Sequence, residues 1–371
     1  MNSITVQIGQ KTNIGNCNTN QDESFIIPIA KYNGCAIGVI DGYGKKGEMV
    51  ARVCKESIEY LIKVKVSDLV ENPVSFLENV YEYTHDQVIN QFGNQKCGAT
   101  FSIIILLESK IYIANVGDSS GVIYSREPLD WNSHLKFEKD AAIPLKKSTS
   151  LNTVASVNTY IELTSNHSPD NVEEYIRMRN YKCCEKDPNY AKLECLYDKR
   201  LEDKHECPPI FGISENGVTF IRPKDGSFEC YYKNICKKMA TYVCDETKEN
   251  VLRVTRSIGN LRLNQLGVSH KPEIRSMNLK SVFEDLNSAD SSTLCIVLCT
   301  GGVWNNWLLE KLGKFVMDSH CLNNIAANPK NGTQHVATSL MLKNQVSGEE
   351  NFGKDSDNAT CIIMYVSKEK E

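Results

Sequence analysis

Apolar residues follow two different periods along this chain. Gly34-Cys35-Ala36-Ile37-Gly38-Val39-Ile40, Phe101 to Leu107, Ile111 to Val116, Leu294 to Leu298 and Cys361 to Val366 are short, nearly continuous apolar runs bounded by turn residues. They read as short, buried strands. Between the first two runs, Met49-Val50, Val53, Ile58 and Leu61-Ile62, and then Phe76-Leu77, Val80-Tyr81, Val88 and Phe92, repeat at helical spacing. That pattern predicts two amphipathic helices. Met1 to Gly15 is polar and alternating, as in a strand entering at a sheet edge.

The ends of these runs carry the chemistry. Asp41-Gly42-Tyr43-Gly44 places a carboxylate at the mouth of the first strand with a bare glycine carbonyl beside it, a combination that suits a hard cation. An Asp-Gly pair is also an ordinary turn. Further segments follow in order: Gly98-Ala99-Thr100; Val116-Gly117-Asp118-Ser119; Leu163-Thr164-Ser165-Asn166-His167-Ser168-Pro169 ahead of Glu174 and Arg177; Val254-Thr255-Arg256-Ser257-Ile258-Gly259-Asn260; Cys299-Thr300-Gly301-Gly302-Val303-Trp304; and Asp357-Asn358-Ala359-Thr360.

In this order the segments resemble those of the metal-dependent protein phosphatase 2C family, and the resemblance spans essentially the whole chain. It implies an α+β fold, a four-layer α-β-β-α sandwich of two mostly antiparallel sheets flanked by helices, with the site at one end. It also implies a single domain over residues 1–371. In that family two divalent cations share a water that attacks phosphoserine or phosphothreonine. The resemblance makes Asp41 the bridging carboxylate, Gly42 the carbonyl ligand, Asp22 and Asp357 further acidic ligands, and Asp118 a ligand of an additional metal. The plainer readings are a helix-capping aspartate for Asp41 and turn residues for Asp118 and Asp357.

Several positions depart from the family pattern. Gly301 stands where a metal-binding aspartate is expected, and a glycine has no side chain to coordinate with. Tyr43 replaces the histidine that acts as general acid; tyrosine, with a pKa near 10, donates protons poorly at neutral pH. Cys17 falls at the arginine that clamps the substrate phosphate, and a thiol cannot imitate a bidentate guanidinium. Asn260 and Asn305 replace acidic residues, and Gln21 stands beside Asp22 where many members have glutamate. Losing a ligand, the clamp and the acid together removes binding, orientation and proton transfer. The expectation is therefore a pseudophosphatase that binds or regulates a phosphoprotein or kinase partner, with Mg2+ or Mn2+ at weak or partial occupancy. The competing expectation is an active serine/threonine phosphatase working through Asp22, Asp41, Gly42, Asp118 and Asp357.

Composition changes this picture little. A chain of 371 residues, 41% hydrophobic and 24% charged, can bury a large core. A net charge of -4 argues against a nucleic-acid partner, and no apolar stretch has the length to span a bilayer. A cytoplasmic monomer is expected. Of the 15 cysteines, Cys183, Cys184, Cys195, Cys207, Cys230, Cys236 and Cys244 crowd one region, inside an insertion at about 180–248 relative to the family. An odd number without a Cys-x-x-Cys pair favours reduced, partly buried thiols over disulfides or a zinc site built around His205-Glu206-Cys207.

Overall fold

The computed structural model describes residues 4–139, 157–181, 193–198, 206–214, 217–221, 232–286 and 293–368. The chain begins with strands β1 (Ile4–Asn13), β2 (Asp22–Ile29) and β3 (Gly34–Tyr43), followed by helices α1 (Gly47–Val64), α2 (Val66–Glu71) and α3 (Pro73–Phe92). Strands β4 (Gly98–Leu107), β5 (Lys110–Val116), β6 (Ser120–Leu129), β7 (Leu135–Lys139) and β8 (Asn158–Glu162) come next, then helix α4 (Val172–Arg179). The segment after α4 holds short strands β9 (Glu194–Tyr197), β10 (Phe211–Ser214), β11 (Gly217–Phe220), β12 (Thr241–Cys244) and β13 (Val251–Leu252). The chain then forms β14 (Ile258–Gly259), α5 (Leu261–Leu266), β15 (Glu273–Asn278), α6 (Leu279–Asp285), β16 (Thr293–Cys299) and α7 (Gly301–Trp304). Helices α8 (Leu309–Val316), α9 (Ser319–Ala327) and α10 (Gly332–Phe352) lead into the last strand, β17 (Ala359–Lys368).

Two antiparallel sheets stack face to face. One has the order β1-β17-β16-β6-β8, the other β2-β3-β4-β5-β15-β7 with β14 paired to β4. Strand alternation shows why the apolar runs are continuous. In β3, Cys35, Ile37 and Val39 enter the core between the sheets, whereas Ala36 and Ile40 face the core under α1 and α3. In β16 and β17, Leu294, Ile296, Leu298, Ile362 and Met364 face the other sheet, and Cys295, Val297, Cys361 and Ile363 face α7 to α10. Each Leu, Ile, Val or Met among them, fully buried, contributes about 1.5–3 kcal/mol of hydrophobic free energy. Three stacked cores thus give the α-β-β-α layering, with β1 on the sheet edge that its alternating sequence predicts.

Two smaller sheets lie between α4 and β14: a β10–β11 hairpin and a three-stranded sheet ordered β13-β12-β9. They share a core with α4 and α5 through Met178, Tyr197, Phe211, Val243, Leu263 and Leu266. No described helix is long and apolar enough to cross a membrane.

Candidate functional site

Strand pairing assembles the acidic end of the sandwich. β3 runs three residues beyond the expected Gly34–Ile40 because its pairing with β2 and β4 continues, so Asp41 lies within the strand, opposite Asp22 on one side and Thr100 on the other. Helix α1 starts at Gly47 without a side-chain cap, which removes the helix-capping role for Asp41. Asp41, Asp118, Asp357 and Gly301 line a cleft of about 750 Å3, and Asp22 lies buried behind Asp41.

The carboxylates differ in how they are held. Asp22 Oδ2 accepts a hydrogen bond from Thr300 Oγ1 at 2.8 Å, and Thr300 Oγ1 in turn accepts from the Thr360 N–H at 2.9 Å. Asp22 Oδ1 is buried with no hydrogen-bond partner among the described residues. Burial pushes the Asp22 carboxyl up to about 7 against the pull of the neighbouring Thr360 and Thr300 side chains. Asp41 is also raised, by burial first and then by the charges of Asp22, Asp357 and Asp118, with Lys233 opposing. Asp357 is raised by burial, while its Oδ1 accepts from the Asn358 N–H at 2.8 Å. Asp118 Oδ2 forms an ion pair with Lys233.

The remaining motif residues frame these groups. Gly117 needs its φ of +108 and its bare Cα, because a Cβ there would collide with Thr100. Its N–H donates to His167 Nδ1 at 3.1 Å, tying the Asp118 turn to the His167 segment. Behind it, buried Glu174 pairs with Arg177 at 2.9 Å and with Arg256, and accepts from Thr255 Oγ1 at 2.7 Å. Glu174 and Arg177 thus serve as a brace for the Thr255-Arg256 segment.

The departing residues each have a defined place. Gly301 opens α7 facing Asp41: a Cβ at 301 would stand 3.7 Å from Asp41 Oδ2, in ordinary contact, whereas a Cβ at Gly302 would collide with the Asn358 carbonyl. Tyr43 lies over Gly98, where any Cβ would strike the phenol oxygen, and its hydroxyl is 2.7 Å from Ser257 Oγ. Burial pushes its pKa up, away from the range of a useful acid. Cys17 is exposed at the rim with Sγ 3.9 Å from Asp357 Oδ1, and burial together with Asp357 raises its pKa. Asn260, in the left-handed region at φ 49, caps α5 by accepting from the Leu263 N–H. The Asn305 carbonyl accepts from the Ile235 N–H at 3.0 Å.

Sequence reasoning missed two contributors. Thr300, which holds Asp22, lies inside a recognised motif and was readable there in principle. Lys233 belongs to a segment without any motif, so no sequence signal marks it.

The donor set does not fit a pair of divalent cations. Magnesium and manganese want several oxygen ligands in near-octahedral array. Here one position is glycine, and an ammonium already sits on Asp118. Among the described residues no group of three or more His, Cys, Asp or Glu side chains is placed to hold a metal ion. His205, Cys183, Cys184 and Cys230 lie outside the described residues. All 12 described cysteines are free, and Cys195, Cys207 and Cys244 are buried.

Residues 35–130, about a quarter of the chain, match the family model of Protein phosphatase 2C. No curated protein sequence matches. Among solved structures, the serine-threonine phosphatase 2C from Toxoplasma gondii aligns with a TM-score of 0.59 at 13% identity, over 98% of this chain and 95% of its own. A bacterial serine phosphatase aligns with a TM-score of 0.54 at 13% identity, covering 99% of this chain and 100% of that one. A C. elegans sex determining protein gives 0.54 at 13% identity, over 97% of this chain and 64% of its own. At such identities the likeness establishes the fold, and the fold is that of protein phosphatase 2C.

Proposed function

We propose that this phosphatase 2C-fold chain is a pseudophosphatase: a binding or regulatory module for a phosphoprotein or kinase partner, with little or no catalysis of its own. The observation that carries this reading is the pairing of Asp41 with Gly301 across the cleft, where a carboxylate would have to stand to complete a metal site. Tyr43 supports it, because its hydroxyl is engaged with Ser257 and its pKa is pushed up, away from that of a useful acid. The general acid alone is worth about 100-fold to 10,000-fold in rate, and charge stabilisation at the phosphate commonly more. Turnover without either is very slow. The cleft itself persists, with Lys96 and Arg253 on its walls, so a phosphorylated segment has a concave surface to dock against.

A second reading, an active manganese- or magnesium-dependent serine/threonine phosphatase, draws on the grouping of Asp22, Asp41, Asp118 and Asp357 at one end of the sheets. Calorimetric titration with manganese separates the two. The pseudophosphatase reading expects no paired centre at micromolar manganese and at most one weakly bound ion; two tightly bound ions per chain would overturn it.

A further inference from the structure

Lys233 is unusual among the cations of this protein. It comes from the cysteine-rich segment, far in sequence from every motif, yet its ammonium reaches the acidic end of the sandwich. It pairs with Asp118 Oδ2, and the Lys233 side chain is 23% exposed and that of Asp118 11%. Its charge is also felt at Asp41 and Asp357. Lys233 thus pairs with one carboxylate and acts on two more, with Arg253 also acting on Asp357.

The backbone that carries Lys233 is built to present it. Tyr232 and Met239 form an antiparallel bridge, and the Lys233 N–H donates to the Lys238 carbonyl at 2.8 Å. Within that turn, Asn234 Oδ1 accepts from the N–H groups of Cys236 at 3.1 Å and Lys238 at 3.2 Å. Two anchors fix the turn to the phosphatase-like body: the Ile235 N–H on the Asn305 carbonyl at 3.0 Å, and Lys238 Nζ on Asp170 at 2.9 Å. A solvated lysine on a loose loop has no need of such fixation.

We propose that Lys233 is a built-in cation for the acidic end of the cleft, seated on Asp118 in competition with a divalent ion and latching its own segment across the site. An ammonium delivers positive charge without demanding octahedral oxygen ligands, so it suits a cluster in which Gly301 has removed one of them. The latch deepens the pseudophosphatase reading of this site by naming what neutralises the carboxylates in place of metal.

The test uses the full chain. Lys233→Met should raise manganese affinity by about tenfold or more over wild type in a calorimetric titration, because a positive charge no longer opposes the ion at Asp118. In parallel, acylation of lysines mapped by mass spectrometry should show Lys233 protected relative to exposed Lys237, and Asp118→Asn, which leaves the turn's own sequence intact, should abolish that protection. Manganese affinity of Lys233→Met within twofold of wild type overturns the proposal, as does unchanged Lys233 protection in Asp118→Asn. Phosphate turnover by the wild type decides the functional reading separately, since a latched site can be catalytic or dead once opened.

Discussion

Gly301 and Gly302 are adjacent glycines with opposite tolerances. Gly301 has negative φ and open space toward Asp41, so aspartate can be placed there without backbone strain, whereas Gly302 has the Asn358 carbonyl where a Cβ would go. Gly301→Asp should therefore fold and bind manganese more tightly than wild type, with no appreciable turnover while Cys17 and Tyr43 remain. Adding Cys17→Arg and Tyr43→His should raise phosphopeptide turnover more than additively, since groups acting on one transition state work as a unit. Steady-state kinetics of the single, double and triple variants reads this directly. Gly302→Ala should lower stability by about 1–3 kcal/mol through overpacking, measurable by urea unfolding. At this scale the shared location of Asp41 and Gly301 was legible, because both stand at strand ends marked by short motifs. Lys233 could not be named, because its position depends on how a motif-free segment folds back onto the sheets.

Helix α3 meets β14 through a histidine that must stay neutral. His85 Nδ1 accepts from the Gly259 N–H at 3.2 Å, and its ring stacks on His270 at 4.0 Å. Burial and the neighbouring His270 push its pKa down to about 4. Below pH 6.5 the unfolded chain takes up a proton at this residue that the folded protein refuses, so stability falls as pH drops toward 4. Between pH 7 and 5 the loss from this residue should be about 2 kcal/mol. Unfolding titrations at the two pH values should show that component missing in His85→Asn, whose amide oxygen can still accept from Gly259. Between α4 and the Thr255-Arg256 segment the brace is ionic instead. Glu174→Gln removes the carboxylate charge that buried Arg177 and Arg256 share, a loss of about 3–5 kcal/mol by the usual cost of breaking a buried pair, readable in the same unfolding assay. Both helices flanking the first strands follow from apolar spacing, but neither contact does, because hydrogen bonds across 174 and 82 residues leave no local pattern.

The molecule as a whole separates its fold from its chemistry. The three stacked cores are made by alternating faces of β3, β4, β16 and β17, and none of them uses a residue of the acidic end. Changes at positions such as 301, 43 and 17 can therefore be accommodated without loss of the sandwich. The same separation explains why the layers were readable from apolar periodicity, while the small sheets between α4 and β14, with strands of two to four residues, were not. The central claim is that this intact fold no longer turns over phosphate, and phosphate release from a phosphoserine peptide in the presence of manganese, with Asp41→Asn as the control, tests it most directly. The account predicts a rate indistinguishable from that of Asp41→Asn; release on the order of 1 per second or faster, within the ordinary enzyme range and abolished by Asp41→Asn, would contradict it.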